Sequence, residues 1–209
     1  MNYTIKPEEH ELREARQAVE QALEKARHAL EVSADVDYYL AWDGRPYTRE
    51  KMGGVSGRTA ALDVVTLAFN SEADGWKKNI RRTAVHEYGH LFFYDARGEM
   101  SDFMWQFVLE EALAQHLAEK LFPEGYAPWN ERYSVDKIQQ HWDDIKPIIE
   151  DEEIDYDHPL FLGGGDFPEW IGYSVAYLIG EKLLENHELE DLPDLTRSDV
   201  LEAGDRLFG

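Results

Sequence analysis

Residues 83–95 constrain this chain more than any other stretch. They read Thr-Ala-Val-His-Glu-Tyr-Gly-His-Leu-Phe-Phe-Tyr-Asp, and His86, Glu87 and His90 spell H-E-x-x-H. On a helix, residues four apart lie one turn apart on the same side. The two imidazoles then converge, and a converging pair can fill two corners of a zinc tetrahedron. Glu87 lies beside them, where its carboxylate can take a proton from a metal-bound water. The segment is therefore expected to be helical. The rest of the fold must bring at least one more ligand to the same point, with one position kept for water. The plainer alternative is a partly exposed helix with two spare histidines.

Composition narrows the classes. The 209 residues suffice for one domain or two small lobes with a real core. Cysteine is absent, which removes disulfides, thiolate ligands and a thiol nucleophile. The 43 acidic residues outnumber 21 basic ones, giving a formal charge of −22. Such a surface repels nucleic acid and anionic membrane, so neither is expected as a partner. No stretch approaches a membrane span and the first residues hold no apolar signal core, so a cytoplasmic location is expected.

Periodicity supplies the elements. Leu12, Ala15, Val19, Ala22, Leu23, Ala26 and Leu30 recur at three and four, which predicts one amphipathic helix from Pro7 to about Glu31. His10 and His28 fall outside its stripe. Val36–Trp42 alternates as a strand, and Ala61–Phe69 reads as a second. Gly53, Gly54 and Gly57 between them read as a connection or mobile rim. Further helices are expected from Ser71 to Asp95 with Gly98 as the stop, from Ser101 to Phe122, from Ser134 toward Ile149, and from Pro168 to Asn186. Residues 150–167 read as acidic and turn-rich, and the tail holds at most a short helix near Ser198–Ala203. Helix, strands and then the H-E-x-x-H helix is α+β order. One domain over 1–209 is expected, with a helix-and-sheet lobe at 1–75 and a mainly helical lobe at 76–209 carrying the zinc site.

The third ligand is sought on the next helix. On a wheel of Phe103 to Phe122, Glu110 and Glu111 both fall on the apolar side, and Glu111 lies nearer its middle. A buried, unpaired carboxylate costs several kcal/mol, and a metal ion is its natural partner. Arg81, Arg82 or Arg97 are the alternative partners. His116 projects from the polar side and is a weaker candidate. Glu111 follows His90 by 21 positions, enough to finish one helix, turn and return.

At this point the sequence resembles the predicted zinc-dependent proteases with an H-E-x-x-H motif, a prokaryotic gluzincin-like family with a thermolysin-type zinc site. Three blocks carry the likeness: Ala84-Val85-His86-Glu87-Tyr88-Gly89-His90; Leu109-Glu110-Glu111-Ala112-Leu113-Ala114-Gln115-His116; and Phe161-Leu162-Gly163-Gly164 leading to Pro168-Glu169-Trp170-Ile171-Gly172-Tyr173 and then Tyr177. Ala112 and Ala176 stand where the family often has glycine. The resemblance implies a zincin-like fold with a small mixed or antiparallel sheet, an active-site helix and a mainly helical C-terminal part. It implies one zinc per chain on His86, His90 and Glu111, with Glu87 as general base.

The activity expected is hydrolysis of peptide bonds in a peptide or protein substrate. A tetrahedral oxyanion needs a donor beyond the metal. Tyr173 leads the candidates, with Tyr177 and His158 behind it. Asp95, Gln115 and Glu110 are candidates to orient the ligands. The strand Ala61–Phe69 can pair with extended substrate if it is an edge. Gly163-Gly164-Gly165 lacks the following G-K-[S/T] of a phosphate loop, and reads instead as a close backbone turn. The alternatives are a peptide- or protein-binding module on the same fold, and a zinc hydrolase of non-peptide amides.

Overall fold

A computed structural model of the chain describes residues 6–130, 132–153 and 158–209. Two compact units compose it. One takes the described residues up to Asp95 together with Leu117–Ala127; the other takes Ala96–His116 and Pro128–Gly209.

In the first unit, α1 (Glu9–Ala29) buries the stripe Ala15, Ala18, Val19, Ala22, Leu23 and Ala26. Its start is a capping box: the Glu8 side chain accepts from the third helical N–H, and Glu11 reaches back to the Glu8 N–H at 2.7 Å. Glu11 also accepts from Ser71 Oγ at 2.6 Å and Lys6 Nζ at 3.1 Å. The helix is thereby tied to the chain that follows the sheet. His10 and His28 are exposed.

The sheet has three strands, β1 (Asp37–Trp42), β2 (Val55–Ala61) and β3 (Val64–Phe69), in the order β1-β3-β2. The central β3 runs parallel to β1 and antiparallel to β2. Val65, Leu67 and Phe69 are fully buried and alternate with residues on the other face, so one face of the sheet turns to the core. A short helix, α2 (Pro46–Glu50), lies in the connection from β1 to β2.

Two sequence expectations need correction here. The run Ala61–Phe69 is not one strand, because Leu62-Asp63 is a two-residue hairpin turn hidden inside apolar sequence. Its longer portion, β3, is the interior strand, and the two edges of the sheet are β1 and β2. Gly57 is accordingly a strand residue and not part of a mobile rim.

α3 (Trp76–Arg97) begins five residues later than expected, since Gly75 turns the chain in a left-handed conformation just before it. Gly98, also left-handed at φ +74°, ends it as expected. Its buried residues include Ile80, Ala84, Val85, Tyr88, Leu91, Phe93 and Tyr94, which reach around the whole helix. Tyr88 donates its hydroxyl to the Leu30 carbonyl at 2.8 Å, and Asp95 accepts from both the N–H and the hydroxyl of Ser33. These bonds fix the rotation of α3 about its axis.

α4 (Met104–Leu121) follows. The expected helix 134–149 is two, α5 (Val135–Gln139) and α6 (Trp142–Asp151), broken at Gln140-His141. The break accompanies Trp142 packing on Phe208 with ring centroids 5.1 Å apart, its Nε1 donating to Asp205 at 3.0 Å. α7 (Pro159–Leu162) and α8 (Ile171–Leu183) come next, and Gly164 and Phe167 exchange backbone hydrogen bonds between them. Residues 154–157 of the acidic, turn-rich stretch lie outside the described residues. After a 3-10 turn (Leu189–Asp194), α9 (Arg197–Phe208) is twice the length expected of the tail. Thr196 and Asp199 form a capping box that starts it.

The architecture is thus α+β, with a small mixed sheet and a mainly helical remainder. No helix among the described residues is long and apolar enough to cross a membrane.

Candidate metal centre

α3 carries His86, Glu87 and His90 near its middle. The Nε2 atoms of His86 and His90 are 3.1 Å apart, with the rings nearly perpendicular at 85°. Two nitrogen lone pairs at that distance repel unless a proton or a cation lies between them. Nitrogens bound about 2.0–2.1 Å from a tetrahedral zinc stand about 3.3 Å apart, so the spacing suits a shared ion. His90 is 6% exposed and His86 is half-buried. Burial first, then the charges of His90 and Arg82, hold the His86 imidazole well below its ordinary pKa. The ring is therefore neutral at pH 7, which is the form that ligates a metal.

Glu87 is 4% exposed and turns toward the sheet. Its Oε2 accepts from Thr59 Oγ1 at 2.8 Å. Tyr38 and Thr59 share one row of the sheet, each paired with Val65. The Tyr38 phenol is pushed up from its usual pKa by burial first, and then by the charge of Glu87.

On α4, Glu110 and Glu111 are both almost fully buried. Glu110 accepts from the Ser101 hydroxyl at 2.7 Å. Glu111 accepts from Gln115 Nε2, one turn further on, at 3.2 Å. Among the described residues, one group of histidine and acidic side chains has the geometry to hold a metal ion: His86, His90 and Glu111. Their ligand atoms all lie within 4.8 Å of one another.

The other residues singled out in the sequence have various surroundings. Asp95 is engaged with Ser33. His116 Nε2 is 2.9 Å from the Tyr177 carbonyl, and a carbonyl only accepts, so that nitrogen carries the proton and offers no lone pair to a metal. Tyr177 stacks on His116 at 4.5 Å and is buried. Tyr173, half-buried, meets Phe161 edge-on at 5.1 Å. His158 caps α7, its Nδ1 accepting from the Leu160 N–H at 3.1 Å while its Nε2 stands 3.5 Å from Glu152. Thr59 was not singled out in the sequence and Gly57 was expected only in a connection or rim, yet both lie against Glu87. The available signal was a glycine within β-compatible sequence, which often marks close approach by another group.

Residues 15–202 match the model of a family described as Predicted Zn-dependent protease (DUF2268). The chain belongs to that family. Neither a curated protein nor a solved structure matches it. The matched span includes the sheet, α3 and α4, and with them His86, Glu87, His90 and Glu111.

Proposed function

We propose that this chain is a zinc metallopeptidase of gluzincin type on a zincin-like fold, with His86, His90 and Glu111 as ligands and Glu87 as general base. The observation that carries the reading is the convergence of two imidazoles and one buried carboxylate within 4.8 Å. The donor set fits zinc, which takes nitrogen and carboxylate oxygen at tetrahedral positions. It also fits a catalytic site, since such sites use three protein ligands whereas structural sites use four. A zinc ion bound there supplies a Lewis acid that polarises the scissile carbonyl and brings the pKa of water to about 7.

The chain's own residues do the rest. Glu87 accepts the proton of the attacking water and delivers it to the leaving amine. Its neighbour position to His86 places it beside the metal ligands without making it one. Tyr173 is proposed as the hydroxyl donor to the developing oxyanion. The substrate is a peptide or protein.

The test is a Glu87→Gln variant assayed beside wild type on denatured protein and on a peptide library. Cleavage should fall by at least about 100-fold, with zinc content unchanged. Undiminished cleavage would remove Glu87 from the mechanism. A wild type that binds peptides and cleaves none would favour a binding module.

A further inference from the structure

Two residues of the edge strand β2 are shaped around Glu87. Thr59 Oγ1 lies 2.8 Å from Glu87 Oε2 and 3.2 Å from the Glu87 backbone carbonyl. A threonine hydroxyl has a single proton, and the carboxylate is the stronger of the two acceptors. At Gly57, a Cβ would stand 2.7 Å from Glu87 Cγ and nearer still to Oε1. Even alanine would displace the side chain. Residues 57 and 59 are two apart on one strand and so face the same way. Together they make a seat: the bare α-carbon of Gly57 gives room for one carboxylate oxygen, and the Thr59 hydroxyl holds the other.

This seat matters because of what a glutamate otherwise does. Its side chain has three rotatable bonds and samples many rotamers unless a partner selects one. A general base misplaced by about 1 Å loses on the order of 100-fold in rate. Helix α3 fixes the backbone of Glu87, but a backbone alone does not aim a carboxylate.

We propose that Thr59 is a positioning residue for peptide hydrolysis, holding Glu87 Oε2 so that the carboxylate stays aimed at the water whose proton it takes, with Gly57 keeping the space clear. The inference rests on the reading of Glu87 as general base. Thr59 keeps its own proton throughout. The proton that moves comes from water to Glu87 and goes on to the leaving amine. The competing role is purely structural, a tie between β2 and α3 through the Glu87 backbone carbonyl.

The experiment uses the full chain loaded with zinc and a peptide cleaved by wild type. Thr59→Val should lower kcat by about 10- to 100-fold, leave KM within about twofold, and leave zinc content unchanged. Thr59→Ser, which keeps the hydroxyl, should recover kcat to within about threefold of wild type. In a Glu87→Gln background, Thr59→Val should add no further loss. In metal-free protein, Thr59→Val should lower the melting temperature, and by less than half as much when Glu87 is already alanine. Should Thr59→Val fail to fold, Thr59→Ala replaces it in each comparison. A kcat loss under threefold, a serine variant as slow as valine, or an undiminished effect in either Glu87 background would overturn the proposal. Failure of the general-base reading is separate, because it appears as an active Glu87→Gln variant whatever Thr59 does.

Discussion

Glu110 and Glu111 show how much one residue of helical phase decides. Both are buried on α4, and each buried carboxylate costs several kcal/mol unless it is paired. The 100° between them gives each a different partner. Glu110 takes the Ser101 hydroxyl, whereas Glu111 joins His86 and His90 and accepts from Gln115. Gln115 is itself buried and donates its amide N–H to the Glu111 carboxylate at 3.2 Å. Replacing Gln115 with leucine should weaken zinc binding by about 10-fold or more, read by competition with a chelating dye. An unchanged affinity would show that Glu111 needs no such support. The burial of Glu110 and Glu111 was legible from the wheel because α4 is regular. Thr59 was not, because its bond to Glu87 spans 28 positions and joins a strand to a helix.

At the scale of elements, the first unit is tied together by side chains that reach far along the chain. Glu11 at the start of α1 is the clearest case. The Ser71 hydroxyl first, then the Glu8 backbone N–H and Lys6, hold its carboxyl at about 2, against an ordinary value of 4.5. A depressed carboxylate pKa adds stability that is complete above the ordinary value and lost as pH falls toward the folded one. The contribution of Glu11 should therefore be whole above about pH 4.5 and fade between there and about pH 2. Glu11→Gln should cost about 1 kcal/mol at pH 7, a drop of about 2–4 °C in melting temperature. The gap from wild type should close near pH 2, and a gap constant with pH would contradict the assignment.

The long helices were readable because their apolar stripes or Gly98 mark them. The hairpin was not, because Leu62-Asp63 turns inside an apolar run without a glycine. α9 was underestimated because Thr196 and Asp199 look like polar tail residues until they close a capping box. The break between α5 and α6 has no sequence signal of its own, and it accompanies the packing of Trp142 on Phe208.

For the molecule as a whole, composition says little about chemistry and the placement of three side chains says most. A formal charge of −22 concerns solubility and partners, whereas two imidazoles and a carboxylate with ligand atoms within 4.8 Å of one another concern what the chain could bind. Family membership agrees with that division, since the matched span covers nearly the whole chain and its description names a zinc-dependent protease. The central claim is that His86, His90 and Glu111 bind one zinc together. Elemental analysis of the purified chain after zinc loading and dialysis tests it most directly. About one zinc per chain is expected in wild type and in Glu110→Ala, falling sharply in His86→Ala, His90→Ala and Glu111→Ala. A wild type that retains no zinc, or a Glu111→Ala variant that keeps it while Glu110→Ala loses it, would contradict the account.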